Sequence, residues 1–163
     1  MKKTGYPGMK VLQFAFDSKN DSEYLPHNHP KHCVVYTGTH DNETILGWME
    51  TAPKESVEIA KEYLGLSKEE GYHWGMMRGA WSSVADLSIV TMQDLLGLGR
   101  DARMNTPSTM GKNWKWRMLP DALSDELAEK LAEKMKLYGR NPACYNGKSY
   151  DNGKDQAHPY AGR

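Results

Sequence analysis

The residue pattern predicts an α/β fold with parallel strands. Three observations carry that expectation. Short apolar runs rich in β-branched and aromatic residues occur at 9–16, 33–37 and 87–92; helical periodicity lies between and after them; and polar side chains gather just behind each run. Strands alternating with helical segments join as βα units, which lay successive strands parallel. In closed sheets of this kind the reactive groups occupy the loops that follow the strands.

Residues 9–16 are bounded by Pro7-Gly8 before and Asp17-Ser18-Lys19-Asn20-Asp21 after, and read as one buried strand entering a polar loop. Cys33-Val34-Val35-Tyr36-Thr37 is a second strand, closed by Gly38-Thr39-His40-Asp41-Asn42. Between residues 53 and 66, Val57, Ala60, Tyr63 and Leu64 recur at helical spacing, with Pro53 acceptable in a first turn and Gly65 near the end. Ser67 and Glu70 then have the spacing of a capping box ahead of a helix containing Trp74, Met77, Trp81 and Val84. Gly71, Gly75 and Gly79 weaken that helix. Residues 87–92 form a third strand, with Gln93-Asp94 immediately behind it and a Leu-Gly turn ending at Gly99. From 124 to 138, Leu127, Leu131, Met135 and Tyr138 mark one face of a last helix. Beyond Gly139 the composition turns to Asn, Gly, Lys, Asp, Pro and Tyr, which suits a loose tail.

With 163 residues the chain holds one ordinary domain, short of the roughly 200 to 250 residues of a complete (β/α)8 barrel. Lys and Arg total 21, balanced by 21 Asp and Glu, and no basic block is long enough to track a phosphate backbone. Nucleic acid is excluded as a partner on that ground. Met1-Lys2-Lys3 resembles the start of an export signal, but the apolar run behind it is broken by Lys10 and Gln13, and none is read. No stretch approaches the ~20 apolar residues of a membrane span. Cys33 and Cys144 make no disulfide framework. A cytoplasmic, reducing compartment is the expectation.

The sharpest local feature is Tyr36-Thr37-Gly38-Thr39-His40-Asp41-Asn42-Glu43-Thr44, where a strand delivers adjacent His and Asp into a loop of hydroxyl and amide side chains. Asp accepts hydrogen bonds from hydroxyls while His and Asn donate, so these groups suit a sugar. A plain surface turn has the same composition. His27, His29 and His32 are closely spaced imidazoles, yet no Cys or carboxylate stands at zinc-binding spacing and Pro26 and Pro30 fix an irregular loop. No metal and no cofactor is expected. Trp74 and Trp81 share a helical stretch with apolar neighbours and read as core; Trp114 and Trp116, beside Asn113 and Arg117, stay open between core and sugar platform.

Several blocks carry a family resemblance. Gly8-Met9-Lys10-Val11-Leu12-Gln13-Phe14-Ala15-Phe16-Asp17, then Leu25-Pro26-His27-Asn28, then residues 34–44, resemble consecutive blocks of the amylomaltase type of 4-alpha-glucanotransferase, glycoside hydrolase family 77. Gln93-Asp94-Leu95-Leu96-Gly97-Leu98-Gly99, Ala102-Arg103-Met104-Asn105 and Asn113-Trp114-Lys115-Trp116-Arg117 follow in the same order, so the resemblance runs over residues 5–138. One departure is Ser108, where the family commonly has Gly.

The resemblance implies the C-terminal portion of a (β/α)8 TIM barrel, incomplete at this length, over residues 1–138, with 139–163 a polar tail. It implies transfer of α-1,4-glucan segments between maltooligosaccharides by a retaining double displacement, with an aspartate nucleophile, a glutamate acid/base and a second aspartate that steadies the distorted sugar. Asp41 resembles that second aspartate, a transition-state stabiliser, and His40 its donor-bearing neighbour. The family's nucleophile and acid/base both precede the Gly-Met-Lys block, so this chain is expected to lack them and to be inactive alone. Its implied partners are maltooligosaccharides, α-1,4-glucans and the N-terminal portion of the barrel. Asn105, Asp17 and Asn28 match positions around the glucan groove, Asn105 as a hydrogen-bonding residue on the Arg103-Met104-Asn105 loop, while loop capping is the competing reading for Asp17 and Asn28. Phe14 resembles a groove-lining aromatic or is simply core. A non-catalytic glucan-binding module is the alternative function.

Overall fold

Gly8–Val11 (β1), Cys33–Tyr36 (β2) and Leu87–Ile89 (β3) form a sheet in the order β1-β2-β3. Both pairings are parallel, with Met9 beside Val34 beside Leu87 and Val11 beside Tyr36 beside Ile89. The computed structural model describes residues 5–16 and 22–140. Asp17, Cys144 and the tail beyond residue 140 lie outside the described residues. The parallel arrangement follows from what joins the strands: each crossover returns the chain to the same end of the sheet. Alternation along the strands buries Cys33 and Val35 completely, whereas Met9 and Leu87, on the opposite face, are 58% and 49% exposed.

The first strand is shorter than the apolar run suggests. After Val11 the chain leaves the ladder and turns as a 3₁₀ helix, Leu12–Phe14, in which Ala15 N–H bonds Leu12 C=O at 3.0 Å. Leu12 and Phe16 remain fully buried. An uninterrupted apolar run reports burial, not backbone conformation, so strand and buried turn look alike. The third strand also stops early, because Thr91 Oγ1 accepts from Asp94 N–H at 3.2 Å and caps a four-residue helix that draws in Gln93 and Asp94.

Four helices belong with the sheet: α1 (Ile45–Thr51), α2 (Lys54–Leu64), α3 (Tyr72–Trp81) and α4 (Met92–Leu95). Helix α1 was not expected; seven residues are too few for periodicity to register, and its signal is Thr44, whose side chain accepts from Gly47 N–H. Helix α2 starts behind Pro53 and stops at Gly65, which takes the left-handed conformation of a C-cap. The capping box at Ser67 forms only by half and one turn early. Glu70 N–H bonds Ser67 Oγ at 3.2 Å, but α3 begins at Tyr72, and the Glu70 carboxylate turns instead to Arg78, with Nη2–Oε2 at 2.9 Å. Val84 lies past the helix end and is exposed.

The glycines that weakened α3 in sequence are contact points. A Cβ at Gly75 or Gly79 would stand 2.6 Å from Leu66 Cδ2 or 2.7 Å from Leu64 Cδ2, so their absence of side chain lets the end of α2 close onto α3. Trp74, Met76, Met77, Ala80 and Trp81 are buried on this helix together with Ile45 of α1. Each such side chain contributes about 1.5–3 kcal/mol of apolar transfer.

The chain divides into two compact units, Met1–Leu123 and Ser124–Arg163. The described part of the second is α5 (Asp125–Leu137), capped by Ser124 Oγ, which accepts from Leu127 N–H at 3.2 Å. Asp125 and Glu126 occupy its first turn and Lys134 and Lys136 its last, complementing the helix dipole. Among the described residues no helix is long and apolar enough to cross a membrane.

Candidate functional site

The carboxyl ends of the three strands fasten one loop, residues 38–44. Asp94, behind β3, is 1% exposed. Its Oδ2 accepts from Thr37 Oγ1 at 2.8 Å and its Oδ1 from Ile45 N–H at 2.7 Å, so one carboxylate holds both ends of the loop. Burial pushes the Asp94 carboxyl up from its ordinary value, against these hydrogen bonds, which favour the charged form. From behind β1, Gln13 Nε2 donates to Glu43 C=O at 2.8 Å. A Cβ at Gly38 would stand 2.8 Å from that same Nε2, so glycine is what lets the amide through. Inside the loop, Asn42 Oδ1 accepts from Thr39 N–H at 2.9 Å and Thr39 Oγ1 at 2.8 Å, a turn made by its own side chain.

This frame presents His40 and Asp41 at the tip, with side chains 54% and 48% exposed. Asn105 Nδ2 donates to Asp41 Oδ1 at 2.6 Å, and His40 Nε2 stands 3.2 Å from the same oxygen. Among the described residues no hydrogen bond occupies Asp41 Oδ2. The main chain joins the two segments as well, through Asn105 N–H to His40 C=O at 3.1 Å. Arg103 locks the junction: Nη2 donates to Asp41 C=O at 2.6 Å, Nε to Asn105 C=O at 2.9 Å and Nη1 to Glu43 Oε1. Arg100 Nη2 lies 3.6 Å from that Glu43 oxygen. A carboxylate oriented through one oxygen and open at the other can accept a hydrogen bond from a ligand hydroxyl.

Beside the tip is a cavity of about 200 Å³ lined in part by His40, Asn42, Glu43, Gln93, Arg103 and Trp114. Trp114 stands with its ring centroid 4.9 Å from that of His40 at 39°. A second, wider recess of about 560 Å³ is lined by Arg100, Lys112, Asn113, Lys115 and Trp116 among others. Between them, Asn113 pins the intervening loop, accepting from Thr106 N–H at 2.9 Å and donating to Thr109 C=O at 2.9 Å. Ser108 has φ +62°, the left-handed conformation that glycine adopts without strain.

The structure thus brings His40, Asp41 and Asn105 together. Phe14 is 45% exposed and packs edge-on to Tyr24, with centroids 5.7 Å apart at 90°. Asn28 Nδ2 donates to Ser22 C=O at 3.1 Å on the crossover before β2. Asp17 lies outside the described residues. The three neighbouring imidazoles diverge: His27 Nδ1 meets Tyr63 Oη at 2.7 Å, His32 Nε2 meets Gly5 C=O at 3.1 Å, and His29 is buried between Ser83 Oγ and Tyr24 C=O. Among the described residues no group of three or more His, Cys, Asp or Glu is placed to hold a metal ion. Trp74 and Trp81 are 5% and 3% exposed and contact each other with centroids 6.0 Å apart.

Residues 1–123 match the family model described as 4-alpha-glucanotransferase, glycoside hydrolase family 77. The chain belongs to that family. It is 54% identical over 140 residues to the 4-alpha-glucanotransferase of Clostridium butyricum, an overlap that covers 85% of this chain and 29% of the relative. With the Synechocystis 4-alpha-glucanotransferase it shares 49% over 136 residues, covering 83% of this chain and 27% of that one. Among solved structures it resembles amylomaltase from Streptococcus agalactiae, determined with acarbose, at a TM-score of 0.81 and 37% identity over 85% of this chain and 28% of that one. The chain therefore spans less than a third of the length of these relatives.

The tip of this family segment is legible in the sequence and what holds it is not: Glu43, Arg103, Gln13 and Asp94 stand within the family-like blocks, but their local spacing does not mark them as supports of the site. The available signal was the kind of residue: a Glu in the same loop as Asp41 and an Arg two positions before Asn105 are a ready carboxylate–guanidinium pair.

Proposed function

We propose that this chain forms part of a 4-alpha-glucanotransferase, and that it supplies the carboxylate which holds the reacting sugar. The observation that carries the reading is Asp41 itself: Oδ1 held by Asn105 and approached by His40, with no hydrogen bond to Oδ2 among the described residues. In a retaining reaction the donor sugar passes through an oxocarbenium-like state, and hydrogen bonds to its hydroxyls that strengthen there lower the barrier. Asp41 Oδ2 is the acceptor for such a hydroxyl, and His40 adds a donor beside it.

The nucleophilic aspartate and the acid/base glutamate are, in this proposal, contributed by polypeptide outside these 163 residues, and the strands β1–β3 are the last part of a (β/α)8 barrel. The substrates are α-1,4-glucans and maltooligosaccharides, and the setting is cytoplasmic. Alone, the 163-residue polypeptide is expected to leave maltotriose unchanged. Grafting residues 1–123 in place of the matching segment of the Clostridium butyricum enzyme tests the proposal. Glucose and longer maltodextrins should form from maltotriose. A folded graft that binds glucan without transferring it would instead favour a non-catalytic glucan-binding module.

A further inference from the structure

We propose that Trp114 is a further glucan-contacting residue, an aromatic wall on which a pyranose ring lies beside His40; this rests on the reading of the 38–44 loop as a glucan site. Trp114 has φ +62° and is one of two non-glycine residues with positive φ among the described residues. A bulky side chain is strained there, and such strain persists only where the surroundings impose it. Burial does not compensate, because Trp114 is 55% exposed, whereas Trp74 and Trp81 on α3 are 5% and 3% exposed. Trp114 is held by its N–H bond to Met104 C=O at 2.7 Å, by Arg117 Nη1, which donates to its C=O at 3.0 Å, and by its indole set 4.9 Å from the His40 ring. Within this segment the ring is thus a flat apolar surface left open, next to the residue that approaches Asp41.

The rim of the adjoining cavity defines the ligand class. Asn42, Glu43, Gln93 and Arg103 share it with the Trp114 ring. An anion would require uncommitted cations, but Arg103 is already bonded to Glu43 and to two main-chain carbonyls. A wholly apolar ligand would leave the polar rim unmatched. A pyranose, with an apolar CH face edged by hydroxyls, matches an aromatic plane edged by amides and carboxylate.

The test measures acarbose binding to the folded Clostridium butyricum graft by calorimetry and by tryptophan fluorescence. Trp114→Gly removes the ring and suits the left-handed backbone. It should weaken binding about tenfold, the size of one aromatic contact, diminish the fluorescence change, and leave Tm within about 2 °C. Trp114→Tyr should recover affinity to within about threefold. Unchanged affinity in Trp114→Gly while the parent graft binds would overturn this assignment alone and leave the glucan reading standing. A fall in Tm beyond about 5 °C accompanying the loss would mark the ring as a packing element and overturn it too. Absence of any binding by the folded parent graft would overturn both readings.

Discussion

Asp41 gains its orientation from side chains more than sixty residues away: Asn105 to its carboxylate and Arg103 to its carbonyl, with sequence separations of 64 and 62. Arg103 serves the Asp41 loop and the Asn105 segment at once, through three differently directed donors that only a guanidinium provides. Lys at this position would keep the charge and lose the fork. In the active graft, Arg103→Lys is therefore expected to lower the transfer rate about 100-fold, chiefly in kcat, because small misplacements of a positioned group have effects of that size. An unchanged kcat with a raised KM would show that Arg103 does not position Asp41. The His40–Asp41 pair was legible in the sequence because the two are neighbours in a loop with its own turn chemistry. The Arg103–Glu43 contact was not, since it spans 60 residues and no local pattern encodes it.

At the scale of elements, Asp94 joins β2, α1 and α4, accepting from Thr37 Oγ1 and Ile45 N–H at 1% exposure, where water has no access to replace a lost partner. Asp94→Ala leaves a hydroxyl and a main-chain N–H unpaired in the interior and is expected to destabilise the fold by about 3–5 kcal/mol. Asp94→Asn retains an acceptor and should be milder, about 1–2 kcal/mol. The pH dependence separates charge from shape. Burial raises the carboxyl's folded pKa, so its contribution to stability is fully present below the unfolded value and is lost as pH rises through the folded one. The Asn variant lacks this titration, so urea unfolding should show it gaining on wild type as pH rises through that window. A gap independent of pH would contradict the assignment. Helices α2 and α5 were readable because each combines a stripe with a stop or cap, Gly65 in one and Ser124 in the other. The shortened β1 and the unforeseen α1 were not, because four or seven residues give periodicity too little length to act on.

For the molecule as a whole, three parallel strands place Gln13, Thr37 and Asp94 where they fasten one loop, and that loop carries His40 and Asp41 to meet Asn105. The parallel α/β class followed from the order of strands and helices alone. Family membership rests on residues 1–123, which coincide with the first compact unit. In the proposed reaction, Asp41 holds the reacting sugar while groups outside this segment perform the bond exchange. The most direct measurement is maltotriose disproportionation by the Clostridium butyricum graft with and without Asp41→Asn, an exchange that preserves shape and removes the charge. A fall of at least about 100-fold in kcat is expected, on the order of 3 kcal/mol of transition-state stabilisation, with the variant's Tm close to that of the parent graft. A variant that transfers glucan within about threefold of the parent would contradict it.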